Sequence, residues 1–404
     1  MNILYLNHYA GSPEMGMEFR PYYLAREWNR AGHNVTIVAG DFSHLRIQNP
    51  DVTKDFQEET IDGVRYCWIQ TGSYEGNGAK RAFSMFRFVW KLMLHARSIA
   101  KDWNPDVVIA SSTYPLDTFA AQRIRRFSSA KVIHEVHDMW PITLIELGGM
   151  KKTHPFVVLM QLGENSFCRH SDYVVSLLCE AKDYFVRHGM RPDKFKAIMN
   201  GVVREEWTDP EPLNDLHAHT IRNLHDEGKF VICFFGSITR SYAIDYLCDA
   251  VMGMQDAPVA FVIVGEGNQK EELMKKTKDC EDIVFLPRIS KKEIPSLLEQ
   301  VDCCYVGALR NDMFRFGICM NKLFDSMMSG KPILYAAEAP NNFVQDYHCG
   351  ISVDAENSAA LEKGIRELLD MTPEERDCLG KNGRKAVCEH FTYEKIAEEF
   401  ETLF

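Results

Sequence analysis

Phe230-Val231-Ile232-Cys233-Phe234-Phe235-Gly236-Ser237-Ile238-Thr239-Arg240 opens with six apolar residues in a row and breaks on a glycine. A strand with one wet face alternates apolar and polar residues. An unbroken run predicts a strand covered on both faces, as in a parallel sheet flanked by helices, and the glycine predicts a turn from strand into helix. The pattern repeats at 259–264, before Gly265-Glu266-Gly267-Asn268. Working outward, similar runs fall at 283–286, 303–306, 332–336 and 351–353, and on the N-terminal side at 2–7, 34–38, 64–70, 106–110, 131–136, 173–177 and 195–199. Helical-period segments separate them, which predicts an α/β chain of two doubly wound, Rossmann-like halves.

At roughly 100–200 residues per domain, 404 residues suffice for two or three cores. The run 200–228 holds the turn signals Asn200-Gly201, Asp209-Pro210 and Glu211-Pro212 with few apolar residues, so it marks a boundary. The expected domains are 1–203, a linker at 204–228, a second domain at 229–388 and a closing helix at 389–404. Two such halves would face each other across a cleft, and open α/β sheets bind ligands beyond the carboxyl ends of their strands.

With 46% hydrophobic and 25% charged residues the chain is of the globular class, neither disordered, collagenous nor coiled-coil. A net charge of -11 argues against nucleic acid, whose phosphates need a basic face. No run reaches the roughly 18–20 apolar residues of a membrane-spanning helix, and the opening residues are strand-like, so a cytoplasmic protein is expected. The twelve cysteines include no Cys-x-x-Cys pair and read as reduced core residues, with no metal site expected.

One stretch departs from the acidic average. Residues 79–101 carry Lys80, Arg81, Arg87, Lys91, Arg97 and Lys101 and no acid. Lys80, Arg87, Lys91 and His95 recur at helical spacing, with Phe83, Phe86, Val89, Trp90 and Met93 around the rest of the helix. The functional expectation is a helix lying on anionic lipid headgroups through Lys80, Arg81, Arg87 and Lys91, on the inner face of a membrane; the plainer one is a sheet-covering helix with a solvated basic stripe.

Glycine loops follow three strands. The first, residues 8–16, contains Gly11, Pro13 and Gly16, and Arg20 lies on the helix after it. Its spacing is not Gly-x-Gly-x-x-Gly, which excludes a plain nicotinamide dehydrogenase. The other two hold Gly236 with Arg240, and Gly265 with Gly267; bare backbone and a cation are what a pyrophosphate needs. In Phe316-Gly317-Ile318-Cys319-Met320-Asn321-Lys322-Leu323-Phe324-Asp325, Lys322 and Asp325 stand three apart and share a helix face. They suit a phosphate and a ribose, or form a simple surface ion pair.

This segment resembles the retaining glycosyltransferases of family 4, of GT-B fold. Many of these carry a Glu-x7-Glu motif on a helix that ends in Gly-x-Pro; here Asp325 stands where the second Glu falls, five residues before Gly330-Lys331-Pro332, and Gly317 stands where the first does. The Met-Asn-Lys-Leu-Phe-Asp variant is similar to a subset that builds bacterial surface polysaccharides. Arg30-Ala31-Gly32-His33, Asn104-Pro105-Asp106, Asn200-Gly201-Val202, Val264-Gly265-Glu266-Gly267 and Asn382-Gly383-Arg384 follow in the family's order.

The resemblance implies a sugar-nucleotide donor, UDP-linked, on the second domain. Gly236 and Arg240 would lie near the diphosphate, with the Gly265 and Gly267 loop beside them. Pro287 and Arg288 would meet the base, Lys322 the phosphates and Asp325 the ribose, while Gly317, Ile318, Cys319 and Met320 would offer backbone N–H groups. It further implies that a histidine of Val132–Pro141 faces the transferred sugar, with His137 and Asp138 as the candidates, and that the last helix returns to the first domain. Transfer of a hexosyl or N-acetylhexosaminyl group would retain configuration by front-face attack, without a metal or other cofactor. The acceptor would be a lipid-linked saccharide entering between the Gly11–Gly16 loop, with Arg20, and the basic helix. A GT-B-shaped sugar-nucleotide epimerase and a noncatalytic assembly scaffold are the competing readings.

Overall fold

Eight strands make the sheet of the first unit: β1 (Asn2–Leu6), β2 (Asn34–Gly40), β3 (Gln57–Ile61), β4 (Val64–Ile69), β5 (Val107–Ala110), β6 (Lys131–Val136), β7 (Tyr173–Ser176) and β8 (Phe195–Ala197), in a computed structural model that describes residues 1–16, 19–76 and 78–404. Their spatial order is β3-β4-β2-β1-β5-β6-β7-β8, parallel throughout except for β3 against β4. The helices α1 (Phe19–Arg30), α2 (Ala79–Trp103), α3 (Asp117–Ser128), α4 (Ile142–Glu146) and α5 (Pro155–His170) belong to this unit. Leu4, Leu6 and Val108 from the sheet share one core with Phe88 and Leu92 of α2 and Ala120 and Ile124 of α3.

The second unit has six strands, β9 (Phe230–Phe235), β10 (Val259–Val264), β11 (Ile283–Leu286), β12 (Cys303–Gly307), β13 (Ile333–Ala336) and β14 (Gly350–Ser352), ordered β11-β10-β9-β12-β13-β14 and all parallel. Every residue of β9 and β10 is buried, as their unbroken apolar runs require. The units comprise Met1–Met199 with Tyr393–Phe404, and Asn200–Thr392.

Two elements depart from the sequence reading. Strand β3 is polar, Gln57-Glu58-Glu59-Thr60-Ile61, because it is an edge strand with both faces largely wet. It was announced only by Asp62-Gly63, whose φ values of 48° and 80° make the hairpin turn into β4. The expected linker 204–228 contains a helix, Asp215–Asp226, that belongs to the second unit. Asn214 caps it by accepting the N–H of His217, and it buries His217, Ile221 and Leu224. Proline-containing turns before it concealed these three buried contacts at helical spacing.

The chain is part of the first unit again at Tyr393. Helix Tyr393–Glu401 buries Ile396, Ala397 and Phe400. Its seat on α1 is Trp28, fully buried, which donates its indole N–H to Ala397 O at 3.3 Å and meets the rings of Phe400 and Phe404 at 5.3 Å each. Tyr23 packs on Tyr393 at 4.8 Å, and Lys131 Nζ donates to the carbonyl of Phe404 at 2.6 Å. Replacing Trp28 by Ala removes this seat at about 3–5 kcal/mol; limited proteolysis of the full chain should then release the segment after Thr392 well before the wild type does.

Candidate functional site

In the second sheet the strand order reverses between β9 and β12, and a recess beyond the carboxyl ends is expected at such a point. Gly236 leaves β9 there with φ +117°, and a Cβ on it would stand 3.7 Å from Lys322 Nζ, so bare backbone borders that ammonium. The register pairs Phe235 with Val264, which sets the next loop alongside. Gly236 N–H donates to Val264 O at 2.9 Å and Ile238 N–H to Glu266 O at 2.8 Å. A Cβ on Gly265 would fall 1.8 Å from Gly236 O, and one on Gly267 2.1 Å from Ile238 O. These two glycines therefore let one loop lie backbone to backbone on the other.

Lys322 is in the first turn of helix Asn321–Ser329, whose N-cap, Met320, supplies no side-chain hydrogen bond. The side chain is 9% exposed and its Nζ makes no hydrogen bond. It lies 3.2 Å from the centroid of the Tyr242 ring and 4.0 Å from that of Phe234. The aromatic faces offset part of the desolvation cost of the cation, which for an unpaired buried charge is several kcal/mol. Burial holds this lysine well below its ordinary pKa. An ammonium without an acceptor, beside uncapped helix N–H groups and bare glycine backbone, is a ready anion site.

The alternative of a simple surface ion pair with Asp325 is not formed, since Lys322 Nζ faces the two rings and has no hydrogen-bond partner. Asp325 is half-buried, and burial pushes its carboxyl up to about 6 against the pull of Lys291, while Glu206 adds to the rise. Lys291 pairs with Glu206 at 3.6 Å. Arg240 opens the short turn Arg240–Tyr242 and is exposed. Pro287 and Arg288 are exposed after β11. Their loop is held by a residue the sequence reading passed over, buried His217, whose Nε2 donates to Pro287 O at 2.9 Å.

Part of the backbone-donor expectation is corrected. The N–H of Ile318 is already taken by Asn341 Oδ1 at 2.8 Å, and Asn341 Nδ2 returns a bond of 2.8 Å to Ile318 O. Cys319 Sγ accepts from the N–H of Asn200 at 3.3 Å. Gly317, at φ +100°, and Met320 flank this clamped segment.

In the first sheet the order reverses between β1 and β5. Near these strand ends Glu135, fully buried on β6, collects four partners. Arg20 Nε donates to its Oε1 at 2.9 Å, and its Oε2 receives Tyr5 OH at 2.5 Å and Ser111 Oγ at 2.6 Å, with His137 Nε2 at 3.2 Å. His137 Nε2 also stands 2.8 Å from Ser111 Oγ. Burial alone would raise the Glu135 carboxyl, yet Arg20 and His137 hold it well below the ordinary carboxylate range. Glu135 and His137 share a face of the strand; His134 points the other way and stacks on Phe167 at 3.9 Å between ring centroids.

Several first-unit residues named in the sequence reading have structural partners. Arg20 is buried, spending its guanidinium on Glu135 and on the carbonyls of Ile198 and Met199, at 2.9 and 2.6 Å; it is no acceptor contact. Asp138 accepts Trp140 Nε1 at 3.0 Å and Thr143 Oγ1 at 2.9 Å, and so orders the entry into α4. Gly11 is buried, its carbonyl accepting Tyr66 OH at 2.7 Å; Gly16 packs against Ile47. On α2, Lys91 pairs with Asp55 at 2.6 Å, Arg81 lies over the Tyr9 ring at 5.5 Å, Arg87 donates to Thr71 O at 3.1 Å, and Lys80 is exposed.

Residues 15–201 match the glycosyl transferase 4-like domain and residues 218–386 match glycosyl transferases group 1. The colanic acid biosynthesis glycosyl transferase WcaI of Escherichia coli K12, as it is named, is 24% identical over 302 residues, 69% of this chain and 72% of WcaI. Among solved structures, the sucrose-phosphate synthase of Thermosynechococcus elongatus superposes with a TM-score of 0.74 at 18% identity, covering 100% of this chain and 98% of that one. HepE of Anabaena, solved in complex with UDP and glucose, superposes with a TM-score of 0.66 at 15% identity, covering 100% and 99%. With two Rossmann-like units of GT-B type and both family matches in order, the chain belongs to the glycosyltransferases, its first domain 4-like and its second of group 1.

Proposed function

We propose that this glycosyltransferase moves a sugar, with retention at the anomeric carbon, from a UDP-sugar to a hydroxyl of a lipid-linked saccharide in bacterial surface-polysaccharide synthesis. The observation that carries the donor reading is Lys322, a buried cation with no acceptor, beside Gly236 and an uncapped helix start. The complex of HepE with UDP and glucose and the name of WcaI support the donor class and the pathway type.

In this reading the bond from the anomeric carbon to the diphosphate oxygen breaks, and the electron pair leaves with UDP. The acceptor oxygen bonds to the same face of that carbon, and its proton passes to a phosphate oxygen of the departing UDP. Lys322, Arg240 and the helix amides stabilise the charge that develops on the diphosphate, the electrostatic device that gives the largest share of many rate enhancements. Asp325 accepts from the ribose, and the Pro287–Arg288 loop, braced by His217, meets the base. His137, fixed by Glu135 and Ser111, contacts the transferred sugar. Charge neutralisation rests on these protein groups, not on a metal ion.

Lys322→Met keeps the length and removes the charge. It should weaken UDP binding, measured by titration calorimetry, by about 2–4 kcal/mol, while the melting temperature of the free protein holds or rises, since a buried unpaired ammonium is lost. A lower melting temperature with unchanged UDP affinity would show a structural lysine and remove the donor reading. Product loss in this folded variant also excludes a scaffold, and donor turnover without acceptor would point to an epimerase.

Two further outcomes follow from the titrating groups. UDP affinity should fall as pH drops through about 6, where Asp325 takes up its proton, and Asp325→Asn should abolish that acidic limb. It should also fall with rising pH, and sooner than the titration of an ordinary lysine would make it, because burial makes the free protein's Lys322 give up its proton earlier. Transfer measured by release of UDP should survive a chelator such as EDTA; its collapse and recovery on adding a divalent ion would overturn the metal-free reading.

A further inference from the structure

Helix α2 presents a face that the sequence pattern had assigned differently. Phe83, Arg87, Trp90, Leu94, Arg97 and Lys101 are spaced i, i+4, i+7, i+11, i+14 and i+18, so they form one stripe, about 27 Å long at 1.5 Å per residue. All six are exposed, Phe83 by 70%, Trp90 by 61% and Leu94 by 59%. The expected division into a basic stripe and an apolar remainder fails, because Lys91 turns to Asp55 while Phe83, Trp90 and Leu94 turn outward.

Beside the stripe runs a groove of about 450 Å³ between α2, α3 and α5, walled by Phe83, Phe86, Trp90, Met93, Phe119 and Leu159. Val158 and Leu162 of α5 are exposed as well. A partner for this face must cover apolar rings and bring negative charge to Arg87, Arg97 and Lys101, the cations of a stripe that holds no acid in a chain of net charge -11. A lipid leaflet with anionic headgroups offers both at the right depth: rings enter the acyl boundary while Arg and Lys reach back to the phosphates.

We propose that the α2 stripe docks the first unit on an anionic bilayer, Phe83, Trp90 and Leu94 inserting below the headgroups, Arg97 and Lys101 pairing with them, and a lipid chain entering the groove. No helix among the described residues is long and apolar enough to cross a membrane, so the contact is interfacial. This goes beyond the transfer reaction, and its test uses no sugar substrate.

The full chain is mixed with sedimentable vesicles of phosphatidylcholine, alone or with phosphatidylglycerol, at low and high salt. Wild type should pellet with the anionic vesicles and less with the neutral ones. Phe83→Ser with Trp90→Ser should weaken this on the order of tenfold or more, since each ring forfeits its apolar burial. Arg97→Glu with Lys101→Glu should weaken it by about fivefold per charge, on anionic vesicles only, and flatten the salt dependence. All four sites are exposed, so unchanged circular dichroism and melting are expected. The proposal is overturned if wild type stays in the supernatant with anionic vesicles at low salt, or if the serine variant pellets like wild type. It is also overturned if the wild type is a dimer in sedimentation velocity that the serine variant turns into a monomer, because a second copy would then cover the face.

Discussion

A lysine ammonium enclosed by Tyr242 and Phe234 without a single acceptor is a costly arrangement, and the candidate site of the second unit is built around it. Water would solvate it better, and only the faces of the two rings offset the loss. Its neighbours respect the same constraint. Gly236 approaches without a side chain, and Met320 leaves the first amides of the helix uncapped. The Lys322 ammonium thus stands without an acceptor beside a helix start that no side chain caps, an arrangement suited to receiving an anion without rearranging.

The first unit shows the opposite arrangement. Glu135 is an anion buried with a full set of partners, and its pairing with Arg20 ties the start of α1 to the backbone of Ile198 and Met199. Tyr5 and Ser111, from the two strands at the reversal of the sheet, complete the set. What remains for solvent is the ring of His137, its orientation fixed from behind. Breaking the pair by removing one partner would strand a charge in the core, which explains why Arg20, a surface-type residue in the sequence, has no freedom to serve a ligand.

Most of the fold was legible because short β-branched and apolar runs bounded by turn residues have few alternatives: among the described residues, thirteen of the fourteen strands overlap the predicted runs. The exception, β3, buries too little to leave an apolar trace. The same holds for helix Asp215–Asp226, whose three buried contacts were outweighed by turn residues ahead of it. At the candidate site, the pattern singled out Lys322 and Gly236, which the structure places side by side. It could not show that the amide of Ile318 is spent on Asn341, or that His217 braces Pro287, since both depend on residues more than twenty positions away. Helical spacing located the amphipathic character of α2 but not its rotation: Met85, Phe88, Leu92, Ala96 and Ile99 face the core, and Lys91 turns to Asp55 and Gln70.

The two stitched loops after β9 and β10 behave as a single part. Because Gly265 and Gly267 exist to admit Gly236 and Ile238, neither loop has a shape of its own that could be carried elsewhere. Anyone recombining this enzyme with another of its kind has to exchange both segments together. A chimera cut between them would inherit one half of a fastener and nothing to close it on.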